Sequence, residues 1–265
     1  MSRKVILASF AIVIGLMVFG CGKTKTSITL AGSTAFQPFA EKLAEQYMQT
    51  NNNVNITIQG GGSAVGIQAA NSGAAQIGMA DMVQLPEEAK GLTTVVVAKD
   101  GVAIVLNPKN PVANLTTEQV RDIFNGKITN WKEVGGNDAP ITVVSREAGS
   151  GTRSSFEQII GDIKLKQDAL IQDSNGTIRE TVSNDPNSVS YLSHGLINEK
   201  VKPVTLDGVK SSIENVVSGQ YKLVRPIFLL VKGSIQGEVK NFIDYILSPE
   251  GQKTIKDNGL LPAKS

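Results

Sequence analysis

The chain is short of the residues that most catalysts and metal centres need. It has one cysteine, Cys21, and one histidine, His194. A lone cysteine excludes an intramolecular disulfide framework. A lone histidine argues against a multi-histidine metal site and leaves little material for a Ser-His or Cys-His catalyst. No charge dominates either: 26 Lys and Arg stand against 24 Asp and Glu, a formal net charge of +2. That is not the basic stripe of a nucleic-acid binder, so an anion bound here must be held by local groups. Aromatics make up 5% of the chain, with one tryptophan, Trp131, which reads as a packing residue over a loop. No internal repeat of fixed period and no low-complexity segment is present.

Long apolar runs are also scarce. Val5 to Phe19 is uninterrupted, but at 15 residues it is short of the roughly 20 that span a bilayer. With Arg3 and Lys4 before it, the run has the form of a secretory signal core. It ends in Val18-Phe19-Gly20-Cys21, which resembles a bacterial lipobox, although Phe19 is bulkier than the residue usual two before the cysteine. Residues 1–20 are therefore expected to be a signal peptide, Cys21 the lipidated N-terminus of the mature protein, and residues 21–26 a polar tether. The alternative is an ordinary secretion signal with a chance cysteine.

The full chain of 265 residues is 41% hydrophobic and 19% charged, and it is long enough for one large domain or two lobes. The 26 glycines of the full chain sit in a few clusters, and those clusters are where function is sought. Ser27 to Ala31 alternates as a strand does. Gly32-Ser33-Thr34 follows, with Thr34 a plausible N-cap. Phe36, Phe39, Ala40, Leu43, Ala44 and Tyr47 then recur at helical spacing. After the strand Val54–Ile58 comes Gly60-Gly61-Gly62-Ser63, opening a second helix. It is neither a Walker loop nor a dinucleotide fingerprint, because Ile67-Gln68 stand where Lys-Ser/Thr would be needed and the glycine spacing is wrong. A short strand, Gln76 to Ala80, delivers Asp81 at its C-terminal end, where open α/β sheets bind ligands.

Leu92–Ala98 and Val102–Leu106 read as two buried strands, and Asn107–Pro111 as punctuation near a lobe boundary. The helix Leu115–Phe124 precedes the stretch that carries most chemistry, Ser145 to Ser154. Here the strand Ile141–Val144 runs into Arg146, the small residues Gly149-Ser150-Gly151-Thr152, and a helix. Free N–H groups at a helix start favour anions, and Arg adds a planar fork of donors. The stretch therefore reads as half of an oxyanion site. Residues 161–176 read as a polar connection, Thr177–Asn184 as a short helix and Ser188–Leu192 as a strand, with His194 in the turn after it in a structural or solvent-facing role. Val201–Leu206 reads as a strand, Ser211–Ser218 as a helix, and Arg225–Val231 as a strand crossing back to the first lobe.

Taken in order, Gly32-Ser33-Thr34-Ala35-Phe36-Gln37-Pro38, Gly62-Ser63, Gly78-Met79-Ala80-Asp81 and Arg146 through Arg153 resemble the phosphate-binding proteins of phosphate ABC transporters, the PstS type. Phe124–Trp131 and Ser248-Pro249-Glu250-Gly251-Gln252 are similar to that family too, so the resemblance covers nearly all of the mature chain. It implies an α/β, two-lobed periplasmic-binding-protein fold of type II. The ligand would lie in the interlobe cleft, with a hinge of crossing strands. On this basis lobe 1 is expected at 27–103 and 228–265, and lobe 2 at 104–227.

By position in the motifs, the resemblance implies a phosphate site made of Thr34, Ala35, Ser63, Asp81, Arg146, Ser150, Gly151 and Thr152, Ala35 contributing only a backbone N–H. It implies no catalytic residue, no metal and no cofactor. The implied partners are inorganic phosphate and an ABC permease with its transmembrane and ATPase subunits; the Cys21 lipid would hold the exported protein at the membrane of the cell envelope.

Asp81 is an anion in an anion site, which makes sense if the ligand carries a proton to donate. Hydrogen phosphate does; sulfate at neutral pH does not. A site built around a ligand's donor rejects an analogue lacking it by about 10⁴–10⁵, so Asp81 is the expected selectivity residue. The alternatives are a binding protein for sulfate, molybdate or tungstate, and a secreted hydrolase using Ser150 or Ser63. The hydrolase lacks a Gly-x-Ser-x-Gly elbow, since Ala148 and Val65 break the pattern.

Overall fold

The computed structural model describes residues 25–263. The signal peptide and Cys21 lie outside them. The first strand opens one residue earlier than expected, inside the anticipated tether, because the Thr26 N–H donates to the carbonyl of Asn53 at 2.9 Å.

The chain starts with two strand–helix units and a third strand: β1 (Thr26–Gly32), α1 (Gln37–Thr50), β2 (Val54–Gln59), α2 (Ser63–Ser72) and β3 (Ile77–Asp81). β1 pairs parallel with both β2 and β3, so all three C-terminal ends face one way. The helical spacing of apolar residues puts Phe39, Ala40, Leu43, Ala44 and Tyr47 of α1 on one buried face. Thr34 is not the cap of α1. The helix starts later, after Phe36, and the Ser33 hydroxyl takes up the Phe36 N–H at 3.0 Å. That leaves the Thr34 side chain available for other contacts.

β4 (Leu92–Leu106) then crosses to the second half of the molecule. It is one strand where the sequence suggested two. The polar interruption Lys99-Asp100-Gly101 does not break it, because Asp100 lies in register opposite Arg225 and its charge is met there. The second half holds β5 (Asn114–Leu115), α3 (Thr117–Phe124), β6 (Thr142–Arg146), α4 (Gly151–Ile160), β7 (Leu170–Gln172), α5 (Asn175–Asn184), β8 (Ser188–Ser193), β9 (Lys202–Pro203), β10 (Thr205–Leu206) and α6 (Ile213–Val217). The single strand expected at Val201–Leu206 is split: β9 pairs with β4 and β10 with β5. Pro203 has no N–H to continue a ladder.

β11 (Val224–Lys232) crosses back, antiparallel to β4 along its whole length and to β3 at its far end. The chain finishes with α7 (Gly237–Leu247), α8 (Pro249–Asp257) and β12 (Leu261–Pro262). The main sheet runs β2-β1-β3-β11-β4-β8-β6-β7, with β9 and β12 also on β4.

Two large apolar cores flank the crossing. One gathers side chains from Ile28 to Ala98 and from Ile227 to Leu260; the other gathers Val102 to Leu223. Each fully buried Leu, Ile or Phe contributes about 1.5–3 kcal/mol, so each lobe has a core of its own. In the second, Phe156 of α4 stacks on Tyr191 at 4.1 Å and meets Phe124 at 4.6 Å. That aromatic cluster fixes α4, and with it the Ser145–Ser154 stretch. Trp131 is buried in the same core and donates its indole N–H to the carbonyl of Asn187 at 2.8 Å, a packing residue as expected.

Candidate functional site

Three of the strand–helix turns singled out in the sequence converge on one cleft, and a fourth joins them. α2 starts at Ser63 after Gly62, whose φ of 88° suits glycine. α4 starts at Gly151, with the Ser150 hydroxyl accepting from the Arg153 N–H at 3.2 Å. The first N–H groups of a helix have no partner within it, so both starts offer donors. The fourth turn runs from β7 to α5, where Ser174 caps the helix and Asn175 heads it.

Asp81, at the end of β3, is 2% exposed. The Ser63 hydroxyl donates to its Oδ1 at 2.6 Å, and the Asp81 N–H donates back to Ser63 Oγ at 3.1 Å. From the other lobe, the Thr152 hydroxyl donates to Asp81 Oδ2 at 3.3 Å and the Ser155 hydroxyl to the Asp81 carbonyl at 3.4 Å. The approach is close enough to require glycine at 151. A Cβ there would lie 2.3 Å from Ser63 Oγ and 2.5 Å from the Asp81 carbonyl. The Ala64 N–H also donates across the cleft to the carbonyl of Gly149 at 3.1 Å. The two lobes are thus in direct contact around the site.

Arg146 is buried, 1% exposed. Its Nε donates to Glu147 at 2.9 Å and to the carbonyl of Gln172 at 3.2 Å. Its Nη2 reaches Glu147 at 2.9 Å, the carbonyl of Asp173 at 3.1 Å and Thr34 Oγ1 at 3.4 Å. Its Nη1 is buried with no hydrogen-bond partner among the described residues. A buried guanidinium N–H costs free energy unless something accepts from it. Thr34 Oγ1 also accepts from the Asn175 backbone N–H at 3.4 Å and side-chain amide at 3.2 Å. It is only an acceptor in these contacts, so its own proton is uncommitted. Ala35 is buried beside Thr34 in the turn before α1.

The structure therefore links Thr34 directly to Arg146, and Ser63, Asp81 and Thr152 to one another, with Gly151 packed against Ser63 and Asp81. Ser150 and Ala35 enter through the backbone turns they occupy.

Sequence reasoning missed three side chains. Asn175 lay in what read as a polar connection; the signal was the Ser174-x-x-Thr177 spacing of a capping box, with both reciprocal bonds present. Arg225 reads in the sequence only as the head of a strand, and Asp100 only as part of the gap between two strands. Arg225 is fully buried; its Nη1 lies 2.5 Å from Asp81 Oδ2 and 3.2 Å from the Asp81 carbonyl, while its Nη2 and Nε donate to Asp100 Oδ2 at 2.8 and 3.2 Å. A charge heading a buried strand must be paired, which was the available clue. Burial pushes the Asp100 carboxyl above its ordinary 3.8, against the opposing pull of Arg225. The Ser193 hydroxyl donates to Asp100 at 3.0 Å, and the Ser193 N–H donates to Asn175 at 3.1 Å. A continuous polar chain thus runs from Thr34 through Asn175, Ser193, Asp100 and Arg225 to Asp81.

Residues 20–250 match the model of a PBP superfamily domain. The chain is 36% identical over 245 residues to the phosphate-binding protein PstS of Bacillus subtilis, covering 91% of this chain and 82% of that one. The chain belongs to the PstS family. Among solved structures it resembles a Clostridium perfringens protein described as a phosphate ABC transporter substrate-binding protein with bound phosphate. The TM-score is 0.87 at 42% identity, over 89% of this chain and 99% of that one. An ABC-type phosphate transport receptor from Vibrio cholerae superimposes with a TM-score of 0.73 at 37% identity, over 88% and 99% of the two chains. The fold is accordingly the two-lobed type II architecture of these PstS-family proteins.

Proposed function

We propose that this chain is an inorganic phosphate-binding protein that delivers its ligand to an ABC importer, and that it is not an enzyme. The observation that carries the reading is Arg146 Nη1, a buried cationic donor without a protein partner, set beside Thr34 between the starts of α1, α4 and α5. A desolvated dianion needs many donors. We assign them to the backbone turns at Thr34-Ala35, Ser63 and Ser150-Gly151-Thr152, the hydroxyls of Thr34 and Ser150, and Arg146. Ser63 and Thr152 give their hydroxyl protons to Asp81, so both enter the site through their backbone N–H groups. Asp81 accepts the phosphate proton and thereby rejects sulfate. The lobes, 27–103 with 228–265 and 104–227, would close on the ligand about β4 and β11. Membership of the PstS family, whose relatives above carry phosphate-binding and phosphate-transport names, supports the same reading.

The protein is exported in this reading, with Cys21 carrying the lipid that holds it at the cell envelope; Cys21→Ser should move it from the membrane fraction to the soluble fraction. Calorimetric titration of the purified mature chain with phosphate, arsenate and sulfate tests the function. Phosphate and arsenate should bind and sulfate should not, because the first two carry a proton at neutral pH. A chain that binds sulfate as tightly as phosphate, or binds no phosphate, would overturn the assignment.

A further inference from the structure

Asp81 does not face the cleft unsupported. A carboxylate has about four acceptor positions. Arg225 Nη1 and the Thr152 hydroxyl approach Oδ2, and the Ser63 hydroxyl takes one position on Oδ1. What remains is one position, on Oδ1, next to Gly151. All three Arg225 nitrogens already have partners, Nε and Nη2 on Asp100 and Nη1 on Asp81. Arg225 is held from behind: Asp100 lies opposite it in the β4–β11 ladder, and Ser193 braces Asp100. The guanidinium is therefore rigid, and it lies where the two cores meet.

We propose that Arg225 is a positioning residue for anion specificity: it locks Asp81 through Oδ2 and so presents Oδ1 as the single open acceptor toward the bound oxyanion. This rests on the reading of the cleft as a phosphate site. Selectivity against an unprotonated anion requires that Asp81 be unable to turn away from it. A carboxylate free to swing would relieve the lone-pair clash that sulfate creates, and the discrimination would fall. Arg225 also offsets the Asp81 charge, which reduces its repulsion of the incoming anion.

The test is the ratio of phosphate to sulfate affinity, measured by calorimetry on the mature chain and on Arg225→Gln and Arg225→Lys. Arg225→Gln should lower the ratio by at least about tenfold, out of the 10⁴–10⁵ that a built donor–acceptor match supplies. Arg225→Lys, which keeps the charge but not the rigid fork, should fall between the two. A merely structural role would lower stability and leave the ratio alone. An Arg225→Gln protein that melts cooperatively and keeps the parental ratio within about twofold overturns the inference while leaving the phosphate reading intact; a parent that binds no phosphate overturns both. If Arg225→Gln does not fold, a crystal structure of the unaltered protein with phosphate decides. Asp81 should meet phosphate through Oδ1 with Arg225 still on Oδ2. Phosphate on Oδ2, or Arg225 turned away from Asp81, overturns the proposal.

Discussion

Arg146 and Arg225 are both buried at the cleft, and they are wired in opposite ways. Arg225 sits between two carboxylates, Asp81 and Asp100, with Nε and both Nη atoms engaged. Arg146 leans on one partly exposed carboxylate, Glu147, and on backbone carbonyls, and leaves Nη1 unpaired among the described residues. The positions explain the difference. Arg225 is on a crossing strand, where an unpaired charge would have no access to water or ligand. Arg146 is at a strand end that opens onto helix starts, where an anion can complete it. In the function proposed above, one arginine stabilises the frame of the site and the other is left for the ligand.

The sharpest way to break this contrast is Asp81→Asn, which changes the acceptor that Arg225 holds. Phosphate binding should persist, since the donors are intact, while discrimination against sulfate collapses by up to about 10⁴-fold; competition titration with sulfate reads this out. Arg146→Ala should act on the other quantity. It removes the cation proposed to meet the ligand and should weaken phosphate binding by about 3–5 kcal/mol, the range for breaking a buried charge pair, with the preference for phosphate over sulfate retained. An affinity within twofold of the parent would remove Arg146 from the site.

Gly151→Ala tests whether both arginines need closed lobes. The added methyl meets Ser63 and the Asp81 backbone, an overpacking that costs about 1–3 kcal/mol. Phosphate affinity should drop accordingly, and X-ray scattering with saturating phosphate should show a more open particle than the parent's.

The smallest effect concerns His194, beside the same crossing. Burial lowers its pKa from the ordinary 6.5, although Asp100 and Glu214 pull it upward, and its Nδ1 has no partner among the described residues. The folded protein therefore holds this imidazole neutral at a pH where the unfolded chain binds a proton. The corresponding stability is present above about pH 6.5 and is lost as pH falls through the lower folded value. Thermal melts from pH 7.5 to 5 should decline less steeply for His194→Gln than for the parent.

The Arg146 half of the contrast was legible in the sequence. Arg146, Gly151 and Thr152 are neighbours along the chain, and a strand, a small-residue turn and a helix start are local features. Asp81 at the end of β3 and Ser63 at the start of α2 were legible for the same reason; Thr34 was placed in the right turn, but as a cap it does not make. The Arg225 half was not. Its partners are 125 residues away in Asp100 and 144 in Asp81, and no local pattern distinguishes a paired arginine at the head of an apolar run from a solvated one. Asn175 was lost more simply, because β7 is three residues long and mostly exposed, too short to show a period.

Sequence alone determined most of the elements, the helix starts that offer donors and the presence of an acid among them, because hydrophobic spacing, glycine turns and capping act within a few residues. Tertiary structure alone decided how that acid is held. Only when β4 and β11 pair do Asp100 and Arg225 come opposite each other, and only when β3 packs beside β11 does Arg225 reach Asp81. A buried charge is tolerated where another meets it, and which charges meet depends on strand register rather than on any neighbour along the chain.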